Sequence, residues 1–212
     1  AAIDKYIYIS VHRTFEQEIV LKYSQLEKVK KSSEIVHPIF REVIQLMDFK
    51  TPQLEISSMA DIPAGTGLGS SSAFTVGLLK ALYAHRHKVI SQRDLAELAC
   101  HVEIDLLGEP IGKQDQYASA FGGINCFTFN QNGYVDIVPL KITHDSLWKL
   151  EENLMLFFTG FSRSASAILK EQDVATSNKQ ANMIDNLKIV KQIGFDAKSM
   201  LEAGNLEDFG RL

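Results

Sequence analysis

Gly65, Gly67 and Gly69 stand at alternate positions and run into Ser70, Ser71 and Ser72, after which comes an apolar stretch from Ala73 to Leu82. Alternate glycines let a backbone bend sharply and let a ligand approach with no Cβ in the way. A glycine loop that opens a helix offers unpaired N–H groups and the positive end of the helix dipole to one spot, which suits an anion. Phosphate is the anion most often held so. The loop is not a P-loop, because it lacks the Gly-Lys-Ser/Thr ending, and its glycine spacing is not that of a dinucleotide fold. A plain glycine turn with a serine cap is the rival reading. Three successive hydroxyls, each able to donate to phosphate or ligate a hard cation, favour the anion site.

A second segment, Gly112-Lys113-Gln114-Asp115-Gln116-Tyr117, puts an acid, a cation and two amides beside glycines. Asp115 there could take or orient the proton of a substrate hydroxyl. Lys113 nearby would keep the carboxylate ionised. The alternative is a solvated turn. Glu103 is a third candidate. It borders the apolar stripe of a helix that carries Leu95, Leu98, Ala99, Val102 and Leu106, and it either reaches inward as a cation ligand or stays at the surface.

The elements that would position these groups follow from pattern. Lys5 to Val11 alternates as a strand. Residues 14–34 read as a hairpin or mobile connection. A helical period runs from Ile35 to Met47, and Leu54–Ser57 is a short strand leading into the loop. The loop helix extends to about His87. Ser91 opens the next helix with a capping-box-like start, and Gly108 and Pro110 end it. Asp115–Ala120 is a short helix or turn. Ile124–Phe129 and Tyr134–Leu140 form a hairpin around Asn132-Gly133. Asn153–Phe158 reads as an apolar strand, and a helix spans about Asn178 to Leu201. Grouped strands and helices without strict alternation predict an α+β fold.

Composition narrows the function. The 212 residues are 45% hydrophobic and 23% charged, with net charge -4. That balance argues against broad nucleic-acid binding, which needs a basic face. No apolar run approaches the ~20 residues that span a bilayer. Cys100 and Cys126 sit in apolar patterns, lack metal-type spacing and read as buried free thiols of a reducing cytoplasm. The six histidines form no spaced metal set.

Taken together, the Pro-x-Gly-x-Gly-Leu-Gly-Ser-Ser loop, the long helix, the second helix with its Glu and the Gly-x-x-Asp-Gln turn resemble the GHMP kinases, the superfamily of galactokinase, homoserine kinase, mevalonate kinase and phosphomevalonate kinase. The Asp-Gln pair points to its sugar-kinase branch. Gly112–Gly123, Phe157–Ser164 and Ala1–Tyr6 are similar to bacterial D-glycero-D-manno-heptose 7-phosphate kinases.

The resemblance implies a two-domain fold, with an N-terminal ATP-binding domain over 1–150 and the beginning of a C-terminal domain over 151–212. It implies ATP and Mg²⁺, and phosphorylation of a sugar hydroxyl in the cytoplasm. Pro63, Gly65, Thr66, Gly67, Leu68, Gly69, Ser70, Ser71 and Ser72 would wrap the phosphates. Ser71 and Glu103 would ligate Mg²⁺, Asp115 would aim the hydroxyl with Lys113 beside it, and Gln116 and Tyr117 would meet the sugar. A phosphorylated sugar needs a cation, for which Arg163 is the candidate and Lys113 the alternative. Fucokinase- or galactokinase-like action on an unphosphorylated sugar, and an inactive ATP- or sugar-binding relative, remain the alternatives. Family segments are expected before Ala1 and after Leu212, so activity is expected of a longer protein. Oligomeric state is left open.

Overall fold

The computed structural model describes residues 1–49, 52–158, 160, 169, 170, 172, 174, 176 and 181–212. They divide into two compact units, one over residues 2–122 and one from residue 123 onward.

In the first unit four strands make a mixed sheet: β1 (Ile7–His12), β2 (Ile19–Lys22), β3 (Leu26–Val29) and β4 (Leu54–Ala60). Their spatial order is β1-β4-β2-β3. β1 runs antiparallel to β4, with Ile9 opposite Ser58, while β2 runs parallel to β4 and antiparallel to β3. β2 and β3 are thus the hairpin of the two readings for residues 14–34. Alternation along β1 leaves Ile7, Ile9 and Val11 half-buried and the residues between them exposed. Ile19, Val20 and Leu21 of β2 are all buried, as befits a strand with neighbours on both sides.

Helices cover the sheet. α1 (Pro38–Leu46) has Pro at its first turn and buries Ile39, Phe40, Val43 and Ile44, the one-sided stripe its period demands. α2 (Ser70–His85) buries Val76, Leu78, Leu79 and Leu82 against the same core. At Gly77 an added Cβ would stand 3.4 Å from the Ile9 side chain, so the missing side chain brings α2 close to β1. α3 (Gln92–Cys100) starts at Ser91, whose hydroxyl accepts the Asp94 N–H at 3.1 Å. α3 continues directly into a π-helical turn, His101–Leu106, and α4 (Gln114–Phe121) follows.

The π turn changes one expectation. A regular helix would bury Leu106 with Val102, but Leu106 is exposed. The Leu107 N–H bonds to the Val102 carbonyl, five residues back, and this wider turn takes the following side chain off the stripe.

In the second unit β5 (Asn125–Phe129) and β6 (Val135–Pro139) form the expected hairpin, with α5 (His144–Asn153), α6 (Ala181–Ala203) and α7 (Leu206–Phe209). The strand expected over Asn153–Phe158 does not form. Asn153 ends α5, and Leu154 to Phe158 are irregular and 63–78% exposed. A strand exists only through a ladder, and no strand among the described residues pairs with this segment.

Candidate active site

The loop before α2 takes the form its glycines permit. Gly65, Gly67 and Gly69 all have positive φ, at 78°, 78° and 68°, while Thr66 and Leu68 between them do not. Such left-handed positions are the backbone pattern from which anion-binding nests of successive N–H groups are built. The loop's entry is anchored to β1: the Tyr6 N–H donates to the Asp61 carboxylate at 2.9 Å, and the Asp61 N–H returns a bond to the Tyr6 carbonyl. Within the loop, the Thr66 hydroxyl donates to the Pro63 carbonyl at 3.3 Å. Gly69 is the N-cap of α2 and offers no side chain to satisfy the first-turn N–H groups. A 16-residue helix therefore begins with uncapped donors, which is where an anion gains most.

Each of the three serines has its own setting. Ser72 is buried, Ser70 half-buried and Ser71 exposed. The Ser71 hydroxyl donates to Glu103 Oε1 at 2.6 Å. Glu103 is only 1% exposed, so of its two readings the inward one is realised. The reason is local. Glu103 lies four residues after Ala99, on the stripe that faces the core, and the π turn holds it there. Its second oxygen, Oε2, accepts from Gln116 Nε2 at 2.6 Å. No lysine, arginine or histidine among the described residues pairs with this buried carboxylate.

Asp115 arrives from the other side. It lies in the first turn of α4, where a negative charge is favoured, and it is exposed. Its side chain rests against Gly69, since a Cβ on Gly69 would stand 3.2 Å from both Cγ and Oδ2 of Asp115. The absence of that Cβ, with the positive φ, sets the acid at the mouth of the phosphate-type loop. The Asp115 carboxylate makes no hydrogen bond or ion pair within the described residues, which leaves its oxygens available to a ligand.

Other expected groups stand elsewhere. Lys113 turns away from Asp115 to Glu97 on α3, Nζ to Oε2 2.9 Å. Tyr117 and Gln116 are both fully buried. The Tyr117 hydroxyl donates to Glu97 Oε1, and its ring stacks on Phe121. Burial raises the Tyr117 phenol, with the Glu97 carboxylate adding to it. Burial alone would raise the Glu97 carboxyl, but the bonds from Tyr117 and Lys113 bring it below the usual carboxylate range. Lys113, Gln116 and Tyr117 thus fasten α4 to the preceding helical segment, through Glu97 and Glu103. Arg163 lies outside the described residues. Cys100 is buried, its thiol pushed up to about 12 chiefly by burial, which suits an inert core thiol, whereas Cys126, on the β5–β6 hairpin, is only half-buried rather than buried as expected.

Two residues were not singled out from the sequence. Glu97 carried only the signal of an acid at a helix position that faces a later Lys. Lys5 lines a cleft of about 50 Å³ together with Tyr6, Thr66 and Ser70, beside the loop. Among the described residues it has no ion-pair partner, and a cation at the start of a strand gave no pattern to read.

The oxygens of Ser71 and Glu103 suit a small hard divalent cation. They lie within hydrogen-bond distance, the carboxylate lacks a compensating charge, and Ser71 is an exposed residue. No cluster of three metal-ligating side chains occurs among the described residues, so a cation here needs further oxygens from its own ligand, as phosphate provides. No helix among the described residues is long and apolar enough to cross a membrane.

Residues 34–123, which include the loop, the π turn and Asp115, match the GHMP kinases N terminal domain. Residues 34–123 are thus a GHMP kinase N-terminal domain. It is 31% identical over 179 residues to the D-glycero-alpha-D-manno-heptose 7-phosphate kinase of Campylobacter jejuni, a match covering 84% of this chain and 51% of that one. It is 27% identical over 160 residues to the bifunctional fucokinase/GDP-fucose pyrophosphorylase of Arabidopsis thaliana, covering 74% of this chain and 15% of that one. Its fold matches the crystal structure of a D-glycero-D-manno-heptose 1-phosphate kinase from Bacteroides thetaiotaomicron with a TM-score of 0.80 and 26% identity, over 98% of this chain and 65% of that one. The chain spans about half the length of the Campylobacter kinase.

Proposed function

We propose that this chain is the nucleotide-binding part of an ATP-dependent sugar kinase. It moves the γ-phosphoryl group of ATP to a sugar hydroxyl, and the acceptor is O1 of D-glycero-D-manno-heptose 7-phosphate, giving the 1,7-bisphosphate. The observation that carries the reading is the placement of the open Asp115 carboxylate against Gly69, the uncapped start of α2. Phosphoryl transfer asks a protein for positioning and charge neutralisation more than for covalent chemistry. The N–H groups of the glycine loop and of Ser70 to Ser72 bind the phosphate oxygens. Asp115 accepts the hydrogen bond of the sugar hydroxyl and aims its oxygen at the phosphorus. As the O–P bond forms and the bond to the ADP oxygen breaks, the hydroxyl proton passes to Asp115 or to solvent.

Ser71 and Glu103 would hold Mg²⁺, which when bound supplies positive charge to the phosphate oxygens. Residues 1–150 carry the nucleotide-binding domain and 151–212 open a second one, in the cytoplasm, where ATP is supplied and Cys100 and Cys126 stay reduced. The heptose phosphate is favoured over a neutral sugar by the extent of the match to the Campylobacter enzyme. The names of the two heptose kinases differ in which phosphate they specify, so the acceptor has to be measured.

The test is ADP release by the full-length protein with Mg-ATP and, in turn, mannose, fucose, sedoheptulose 7-phosphate and D-glycero-D-manno-heptose 7-phosphate. Turnover confined to the heptose phosphate is expected. Turnover on a neutral sugar would keep the kinase and remove the phosphate requirement, while silence on all four would overturn the reading. Arg163 is the cation proposed for the sugar's phosphate, because a guanidinium binds phosphate through two parallel bonds. Arg163→Met should raise KM for the heptose phosphate by about tenfold or more while KM for ATP stays within about twofold, consistent with loss of a charge-assisted bond. Equal changes in both would remove Arg163 from the site.

A further inference from the structure

Gln116 is fully buried, its Nε2 donates to Glu103 Oε2 at 2.6 Å, and its Oε1 has no partner among the described residues. A buried amide oxygen left without a donor is desolvated with no return, and proteins rarely keep one without a reason. The amide cannot relieve this by turning over, because its oxygen would then face the carboxylate oxygen at the same short distance. A methionine or leucine would fill the space with no orphan. The only thing the amide adds is a single donor aimed at one oxygen of Glu103.

That donor has a consequence for the carboxylate. With Oε2 engaged by Gln116 inside the protein, Oε1 is the oxygen presented on the side of Ser71, an exposed residue. A carboxylate so held ligates a cation through one oxygen. Mg²⁺ demands compact octahedral geometry and takes single oxygens, whereas Ca²⁺ is larger and readily takes both oxygens of a carboxylate. We infer that Gln116 is a positioning residue that locks Glu103 as a one-oxygen ligand and thereby makes the site prefer Mg²⁺ over Ca²⁺. This rests on the reading that Ser71 and Glu103 hold the cation. Partners of this kind behind a ligand, never touching the metal, commonly govern its affinity.

The experiment uses the full-length protein with a non-hydrolysable ATP analogue. Bound Mn²⁺ is followed by electron paramagnetic resonance, and Mg²⁺ and Ca²⁺ are titrated as competitors. Gln116→Met keeps the volume and removes the donor. It should weaken Mn²⁺ and Mg²⁺ by about 10–100-fold while Ca²⁺ weakens clearly less, narrowing the preference. Should that variant not fold, Gln116→Asn draws the amide back by one methylene and makes the same test, with thermal melting as the control. Unchanged Mg²⁺ affinity, or an equal loss for Mg²⁺ and Ca²⁺, would overturn the inference. Ser71→Ala and Glu103→Gln separate the two levels. If neither alters Mn²⁺ binding, the cation site itself is wrong; if both do and Gln116→Met does not, only the role of Gln116 is.

Discussion

Two glutamates six residues apart on one continuous helix, Glu97 and Glu103, meet the same short helix α4 in opposite ways. Glu97 is half-exposed and takes a cation, Lys113, and a phenol, Tyr117. Glu103 is buried and takes only neutral donors, Ser71 and Gln116. The first carboxylate is neutralised by the protein, so its work is to fasten α4. The second keeps an unpaired charge out of water, a costly arrangement that an incoming cation would relieve. Burial alone does not mark a functional acid. Burial without a counter-charge, next to an exposed hydroxyl and an uncapped helix start, is what separates the two.

The contrast is tested most strongly where the chemistry is placed. Asp115→Asn keeps the shape at Gly69 and removes the negative charge and the basic carboxylate, turning one acceptor oxygen into a donor amide. On the proposed function, turnover of the full-length protein should fall by about 10²–10⁴-fold with ATP affinity retained, and unchanged turnover would take Asp115 out of the mechanism. Glu103→Gln should weaken divalent-cation binding by at least the ~10–100-fold typical of losing an outer partner. Because it removes an uncompensated buried charge, the metal-free melting temperature should hold or rise; a clear fall would make Glu103 a structural acid like Glu97. Gly69→Ala places a Cβ 3.2 Å from the Asp115 carboxyl at a φ of +68°. A left-handed residue with a side chain costs about 1–2 kcal/mol, so denaturant titration should show that loss together with slower turnover.

Glu97→Gln should have the smallest effect. Its ion pair with Lys113 is 42% and 34% exposed, which limits it to about 0.2–1 kcal/mol, with turnover near that of the parent. Its pH signature is distinctive. The Glu97 carboxyl lies below its ordinary value in the folded state, so its contribution is present above the ordinary carboxylate range and is lost as pH falls through the lowered value. Melting temperature recorded down the acid limb should therefore be flatter in Glu97→Gln than in the parent. A steeper limb would mean that Glu97 does not hold its proton-free form through Lys113 and Tyr117.

Much of this was legible in the residues. The glycine loop with its serines, the helix behind it and the hairpin at Asn132-Gly133 each carry local signals, because positive φ, capping and period act within a few residues. Glu103 was ambiguous because a stripe-border position does not say which way a side chain turns; the π turn and α4 settle it. Lys113 looked like a partner for Asp115 because the two are close in sequence, but residues two apart on a helix do not face each other, and Glu97 lay in reach. Gln116 and Tyr117 stood in a motif beside Asp115, and no local pattern showed that both are buried with partners on Glu103 and Glu97. Leu154–Phe158 has the composition of a strand and lacks a ladder among the described residues.

The sequence by itself determined where the backbone can turn left-handed, that a helix follows the loop, and which acids and hydroxyls are available, since these depend on local sterics and spacing. Only the tertiary structure decided which acid is buried without a charge, which is neutralised, and which lies open against Gly69. Those outcomes depend on contacts between α2, the π turn and α4, whose residues lie 13 to 32 positions apart in the Glu103–Gln116 and Ser71–Glu103 bonds, and no local pattern encodes such distances.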